Sequence, residues 1–221
     1  MCLVTHLEKG WSVVGSASAF TLLVDAFIQK LNQGPINGYR SPVNESEKAW
    51  VDEGVELLIK EYSTAPVFTD VLGELYESLS SKSWRSSLGQ FTPNAVANMM
   101  AEMSGASQDL GPSIASIEMC RAEGRLFRIY EPTAGSGRLI LNACRKIYES
   151  NPSFIADVSV TCVDLDFQCV RMLVANFAAA EAIHRACLGE LTILRGNSLS
   201  GECVVEAYSR IGKNNLSDKA A

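Results

Sequence analysis

Histidine is nearly missing from this chain of 221 residues, which has two, and proline is scarce at seven. His6 and His184 show no partner pattern, so they are expected as ordinary surface or core side chains rather than ligands. No C-x-x-C pair occurs. The seven cysteines (Cys2, Cys120, Cys144, Cys162, Cys169, Cys187, Cys203) are scattered and odd in number. That excludes a disulfide framework and a zinc site, predicts no bound metal, and points to a reducing cytoplasm. Several sit in apolar runs, where a thiol behaves as a small buried hydrophobe. Long apolar runs are lacking too. The stretch 12–28 is interrupted by Gly15, Ser16, Ser18 and Asp25, short of the roughly 20 unbroken apolar residues of a membrane span. No small-residue cleavage site follows residues 22–28, so no signal peptide is expected. Basic charge is also short, with 19 Lys and Arg against 25 Asp and Glu and a net charge of −6. Phosphate neutralisation supplies most non-specific DNA affinity, so strong DNA binding by this chain alone is disfavoured. What is present, 47% hydrophobic and 20% charged residues, suits one core domain with a smaller attached unit.

Two rhythms divide the chain. Residues 1–88 read as helical. Phe20, Leu23, Val24, Phe27, Ile28 and Leu31 recur at helical spacing before the Gly34-Pro35 break. Asn44 with Glu47 three residues on is a capping-box signature for a helix through Trp50, Val51, Val55, Leu58 and Ile59. Another helix is expected over 70–79 and a polar connector over 80–87. Thr92-Pro93 should open a helix carrying Val96, Met99, Met100 and Met103, with the methionines filling core. A linker over 105–112 and a short helix over 113–122 follow.

From there the pattern alternates: strand 126–130, helix 137–148, strand 158–163, helix 167–180, strand 191–194 and a fourth strand over 203–207. This predicts βαβ units and a parallel sheet of about four strands. Residues 89–210 thus form an α/β domain after the helical unit 1–88, with a flexible polar tail over 211–221.

The chemistry-bearing stretch is Glu131-Pro132-Thr133-Ala134-Gly135-Ser136-Gly137, between a strand and a helix. Glycines there let the backbone turn sharply and approach a ligand, at the strand end where open α/β sheets bind nucleotides. Ile140 occupies the third glycine position of the dinucleotide fingerprint, which argues against NAD. The second strand ends in Val163-Asp164-Leu165-Asp166, where a carboxylate can accept hydrogen bonds from both ribose hydroxyls and Asp166 can cap the next helix. The third ends in Gly196-Asn197-Ser198-Leu199, and Gly89-Gln90-Phe91-Thr92-Pro93 stands upstream. Asn151-Pro152-Ser153-Phe154 reads as an ordinary loop.

Taken in order, these motifs resemble the modification subunits of type I restriction systems and their adenine-methylating (N6) relatives, over roughly residues 65–205. Val71-Leu72-Gly73-Glu74-Leu75-Tyr76-Glu77 is similar to the helix those subunits place before the first motif. The resemblance implies a partial Rossmann-like methyltransferase sheet and S-adenosylmethionine as cofactor. It implies that Phe91, Thr92 and Pro93 line the methionine end and that Glu131 faces the cofactor's amino group. Thr133, Gly135 and Gly137 would form the bend, with the glycines allowing close approach. Asp164 would hold the ribose, Leu165 pack on adenine, and Asn197 meet the adenine amine through its side-chain oxygen.

The sequence departs from that pattern where Glu131, Thr133 and Ala134 replace Asp, Ala and Cys. One aromatic is missing before Thr92, and Asn197 replaces an aspartate. The Asn/Asp-Pro-Pro-aromatic motif that holds a flipped-out base is also missing, leaving Glu206 and Tyr208 as weak catalytic candidates on the fourth strand. The expectations are therefore an S-adenosylmethionine-dependent adenine DNA methyltransferase that needs a partner for transfer, or a catalytically inactive homologue that binds or regulates in restriction-modification or anti-restriction. A protein partner or a second copy should cover the open sheet edge at the fourth strand.

Overall fold

The computed structural model describes residues 2–14, 16–32, 38–79, 92–101 and 114–210. Six helices come first: α1 (Leu3–Val14), α2 (Ser16–Leu31), α3 (Glu45–Thr64), α4 (Val71–Leu79), α5 (Asn94–Ala101) and α6 (Ile114–Ala122). Then follow β1 (Phe127–Glu131), α7 (Arg138–Ser150), a 3-10 turn (Pro152–Asp157), β2 (Val158–Asp164), α8 (Phe167–Ala182), β3 (Glu190–Asn197) and β4 (Glu202–Arg210). The expected connector over 80–87, the linker over 105–112, Phe91, Met103 and the tail over 211–221 lie outside the described residues.

Local signals act as their chemistry requires. Asn44 Oδ1 accepts the Glu47 N–H at 2.9 Å, while the Glu47 carboxylate reaches back to the Val43 N–H at 3.0 Å. The capping box is thus present with its return arm shifted by one residue. Asn151 caps the 3-10 turn through the Ser153 N–H at 3.0 Å, so Asn151-Pro152 is structural. His6 is fully buried and stacked on Trp50, and its Nε2 lies 2.9 Å from the Trp50 carbonyl oxygen.

The α/β class holds, but the orientation of the fourth strand is corrected. The order is β1-β2-β3-β4, with β1, β2 and β3 mutually parallel and β4 antiparallel to β3. Only residues 198–201 join β3 to β4, whereas a parallel return needs a crossover of about a dozen residues or more. The pairing steps from Ile193–Ala207 to Leu194–Val205, which leaves Glu206 as the extra residue of a bulge.

Two successive right-handed steps in one direction place α7 and α8 on the same face of the sheet. In-register pairing carries Tyr130, Thr161, Thr192 and Tyr208 across the opposite face in one row. Tyr130 and Tyr208, at the two edges, are each 58% exposed.

One continuous core joins the helical unit to the sheet. Leu22, Leu23, Phe27, Leu58 and Leu72 belong to the same buried cluster as Leu141, Met172, Leu173 and Ile193, and α2 and α4 lie against α8. Cys144, Cys162 and Cys169 are buried free thiols, and burial pushes Cys144 up to about 12. Met99 and Met100 do not fill core, being about half exposed; fully buried Ala97 lies on the same helix, which packs on α7. A small side chain lets α5 approach α7 closely, and that turns the methionines outward.

Candidate cofactor-binding site

β1 ends at Glu131, and the chain turns through 132–137 before α7 begins. Gly135 and Gly137 have φ of +57° and +100°, left-handed conformations that cost other residues about 1–2 kcal/mol. Three backbone donors fix the turn. Ala134 N–H donates to the Val163 carbonyl at 2.9 Å, Gly135 N–H to Asp164 Oδ2 at 2.7 Å, and Gly137 N–H to the Ala134 carbonyl at 2.9 Å. The bend after one strand is therefore bonded to the tip of its neighbour. Asp164 Oδ1 also accepts the Asp166 N–H at 2.8 Å, and Asp166 caps α8 through the Cys169 N–H at 2.9 Å. Asp166 starts the helix as expected, and Asp164 is bonded to the bend.

Gly137 also has a packing task that its sequence position does not mark. A Cβ on it would run into Leu173 of α8 as well as Leu141 of its own helix. The missing side chain admits α8. Gly137→Ala should destabilise the fold by about 2–4 kcal/mol, from the left-handed backbone and overpacking. Urea denaturation checks this. Adding Leu173→Ala should relieve the clash but not the backbone cost.

The remaining expected residues spread along the strand tips. Glu131 is half-buried and accepts the Thr133 N–H at 3.3 Å; Thr133 is exposed. Leu165 is 73% exposed, an apolar side chain held in solvent beside Asp164. Asn197 is exposed, and its Oδ1 accepts the Leu199 N–H at 2.9 Å, so the oxygen assigned to an adenine amine already closes a local turn. Thr92 is half-buried and Pro93 exposed, and the Thr92 carbonyl accepts from Arg138 Nη1 at 2.9 Å. Asn197, Asp164 and Glu131 thus end three adjacent parallel strands. They are staggered: Glu131 is level with Cys162 and Ile193, so Asp164 stands two residues and Asn197 four residues further along their strands. The Cα positions of Glu131 and Asn197 are about 16 Å apart.

Tyr208 is not brought to these tips, whereas Glu206 lies beside Arg195, which is level with Asp164. β4 runs the opposite way, so Tyr208 lies across from Thr192, about 16 Å back along β3 from Asn197. Glu206, the bulge residue, accepts from Arg195 Nε at 2.7 Å.

A buried polar cluster behind the bend was not expected from sequence. Asp70 caps α4 through the Gly73 N–H at 3.0 Å. It also accepts from Ser136 Oγ at 2.6 Å, Arg138 Nε at 3.0 Å and Asn176 Nδ2 at 2.9 Å. Asn176 Nδ2 donates to the Ser136 carbonyl at 2.9 Å, and Tyr62 Oη donates to Asn176 Oδ1 at 2.5 Å. Burial, then the Asp70 charge, pushes the Tyr62 hydroxyl well above its ordinary range. Asp70 just before a helix is a legible cap signal. Its distant partners carry no local mark.

No protein-family model matches the chain, and no curated protein matches it. Among solved structures it is similar to a Listeria monocytogenes protein described as a "putative class i s-adenosylmethionine-dependent methyltransferase", with a TM-score of 0.51 and 11% identity. The chain has a methyltransferase-like fold. The match covers 89% of this chain and 53% of the other, so this chain spans about half the length of that protein. Among the described residues no cluster of three or more acidic, histidine or cysteine side chains could hold a metal ion, and no single helix is long and apolar enough to cross a membrane.

Proposed function

We propose that this chain is the S-adenosylmethionine-binding part of an adenine-type DNA methyltransferase and needs a partner segment for methyl transfer. The observation that carries this reading is the 2.7 Å bond from Gly135 N–H to Asp164, which joins a glycine bend to the carboxylate at the next strand's tip. The residues fit the cofactor. Each Asp164 oxygen accepts one backbone N–H, and an ionised carboxylate has about four acceptor positions, so each oxygen keeps one for a ribose hydroxyl. Leu165 offers an apolar surface to adenine. Glu131, on the other side of Asp164 from Asn197, would meet the amino group of the methionine arm. When bound, the cofactor supplies an activated methyl group; the chain's own residues hold and orient it.

Transfer to an adenine amine also needs groups that grip the flipped base. In doubly wound sheets the strand order reverses beside the first strand, and ligands bind at that crevice. The outer edge of β1, unpaired among the described residues, is where a partner strand carrying an Asn/Asp-Pro-Pro-aromatic motif would join. This moves the expected partner surface from β4 to β1. The inactive, binding or regulatory reading is favoured by one observation: Tyr208 stands away from the strand tips and Glu206 is held by Arg195. Titration calorimetry with S-adenosylmethionine, then a tritiated-methyl assay on mixed DNA, tests the proposal. Heat of binding without transfer by the isolated chain is the expected result. Failure to bind overturns the reading, and methyl transfer by the chain alone removes the need for a partner.

A further inference from the structure

Arg138, the first residue of α7, is 4% exposed and gathers three segments onto the glycine bend. Its Nε donates to Asp70 at 3.0 Å, and its Nη1 to the Thr92 carbonyl at 2.9 Å. Its Nη1 and Nη2 reach the two Glu77 oxygens at 3.3 and 2.9 Å. A guanidinium is a planar fork that fixes its partners' relative directions, which a lysine cannot do. Thr92 is therefore tied to the residue that follows Gly137, and through Asp70 and Glu77 to both ends of α4. Arg138 opens α7 directly after the bend that follows β1, and Thr92-Pro93 lead into α5, which packs on α7. The Thr92 end of the clasp therefore lies at the β1–α7 step, while its Asp70 end is bonded to Asn176 of α8. A ligand whose ribose sits at Asp164 and whose base lies toward β3 must extend its other arm toward β1, the glycine bend and Thr92.

We infer that Arg138 is a positioning residue for the amino-acid arm of the cofactor, holding Thr92-Pro93 against the bend and making that end of the site depend on α4. This rests on the cofactor reading above. Arg138 itself touches no ligand on this account; it acts by fixing the Thr92 backbone before binding, so its loss adds an ordering cost to one end of the site.

The test compares two ligands by calorimetry: S-adenosylmethionine and 5′-methylthioadenosine, which keeps the nucleoside and lacks the amino-acid arm. Arg138→Gln should weaken S-adenosylmethionine about tenfold and methylthioadenosine less than about twofold. Because Arg138 is buried among carboxylates, Glu77→Gln serves as a milder variant whose side chain is 36% exposed. It should weaken only the full cofactor, by about threefold. Equal weakening of both ligands in either folded variant would mean that Arg138 merely supports the fold, and that overturns the inference. So does unchanged affinity for the full cofactor, or a native chain that binds both ligands equally well. A native chain that binds neither removes the cofactor reading itself.

Discussion

Asp164→Ala should weaken S-adenosylmethionine binding about 100-fold or more while leaving a folded protein. Two hydrogen bonds from ribose hydroxyls to a charged acceptor contribute roughly 1.5–3 kcal/mol each, so losing both costs at least about 3 kcal/mol, or two orders of magnitude in affinity. The same change strips an acceptor from Gly135 N–H and Asp166 N–H, and a partly buried amide left without one costs about 1–3 kcal/mol. The bend should loosen accordingly, lowering the urea midpoint modestly. Asp164→Asn is the sharper control, because its amide nitrogen would confront a backbone donor if the oxygen kept only one of the two amides. Calorimetry reads the affinity and circular dichroism confirms the fold. Affinity within threefold of the native chain in the alanine variant would remove Asp164 from the site.

The second large effect concerns stability. Asp70→Ala removes the carboxylate on which Ser136, Arg138, Asn176 and the α4 amide at Gly73 converge. Breaking a buried ion pair by deleting one partner costs about 3–5 kcal/mol, since the remaining charge stays buried. Glu77 stays beside Arg138 at 2.9 Å and softens that loss, placing the expectation near the lower bound. Domains commonly have only about 5–15 kcal/mol in total, so the midpoint in urea should fall steeply. Tyr62→Phe provides a graded comparison: it deletes only the hydroxyl donating to Asn176 and should cost about 1–2 kcal/mol. If Asp70→Ala unfolds within about 1 kcal/mol of the native chain, the cluster is not a determinant of stability.

What could be read from the chain followed from local chemistry. Asn44 with Glu47 and Asp166 ahead of α8 each act through a neighbour three residues away. Such positions are visible in sequence because their physics is short-ranged. The direction of β4 was legible too, since the expected strands 191–194 and 203–207 leave only eight residues between them, fewer than the dozen or so of a parallel crossover, but four strands in an α/β rhythm suggested a parallel return. The two exposed methionines of α5 follow helical spacing, yet that spacing does not tell which face meets α7. The Asp70 cluster was illegible for a different reason. Ser136, Arg138 and Asn176 lie 66, 68 and 106 residues from their shared acceptor, and polar residues at such separations look like any solvated surface. Gly137 shows the same limit, since the crowding by Leu173 exists only once α8 is in place.

That separation bears on how the molecule assembles. Tyr62 meets Asn176 across 114 positions of chain, so the two halves lock only after the intervening strands have found their register. Long-range closure of this kind slows folding, because chain entropy is lost before the contacts reward it. Backbone amides of α3 and α4 should then exchange with deuterium through the same global opening as those of β2, rather than fraying as an independent helical layer.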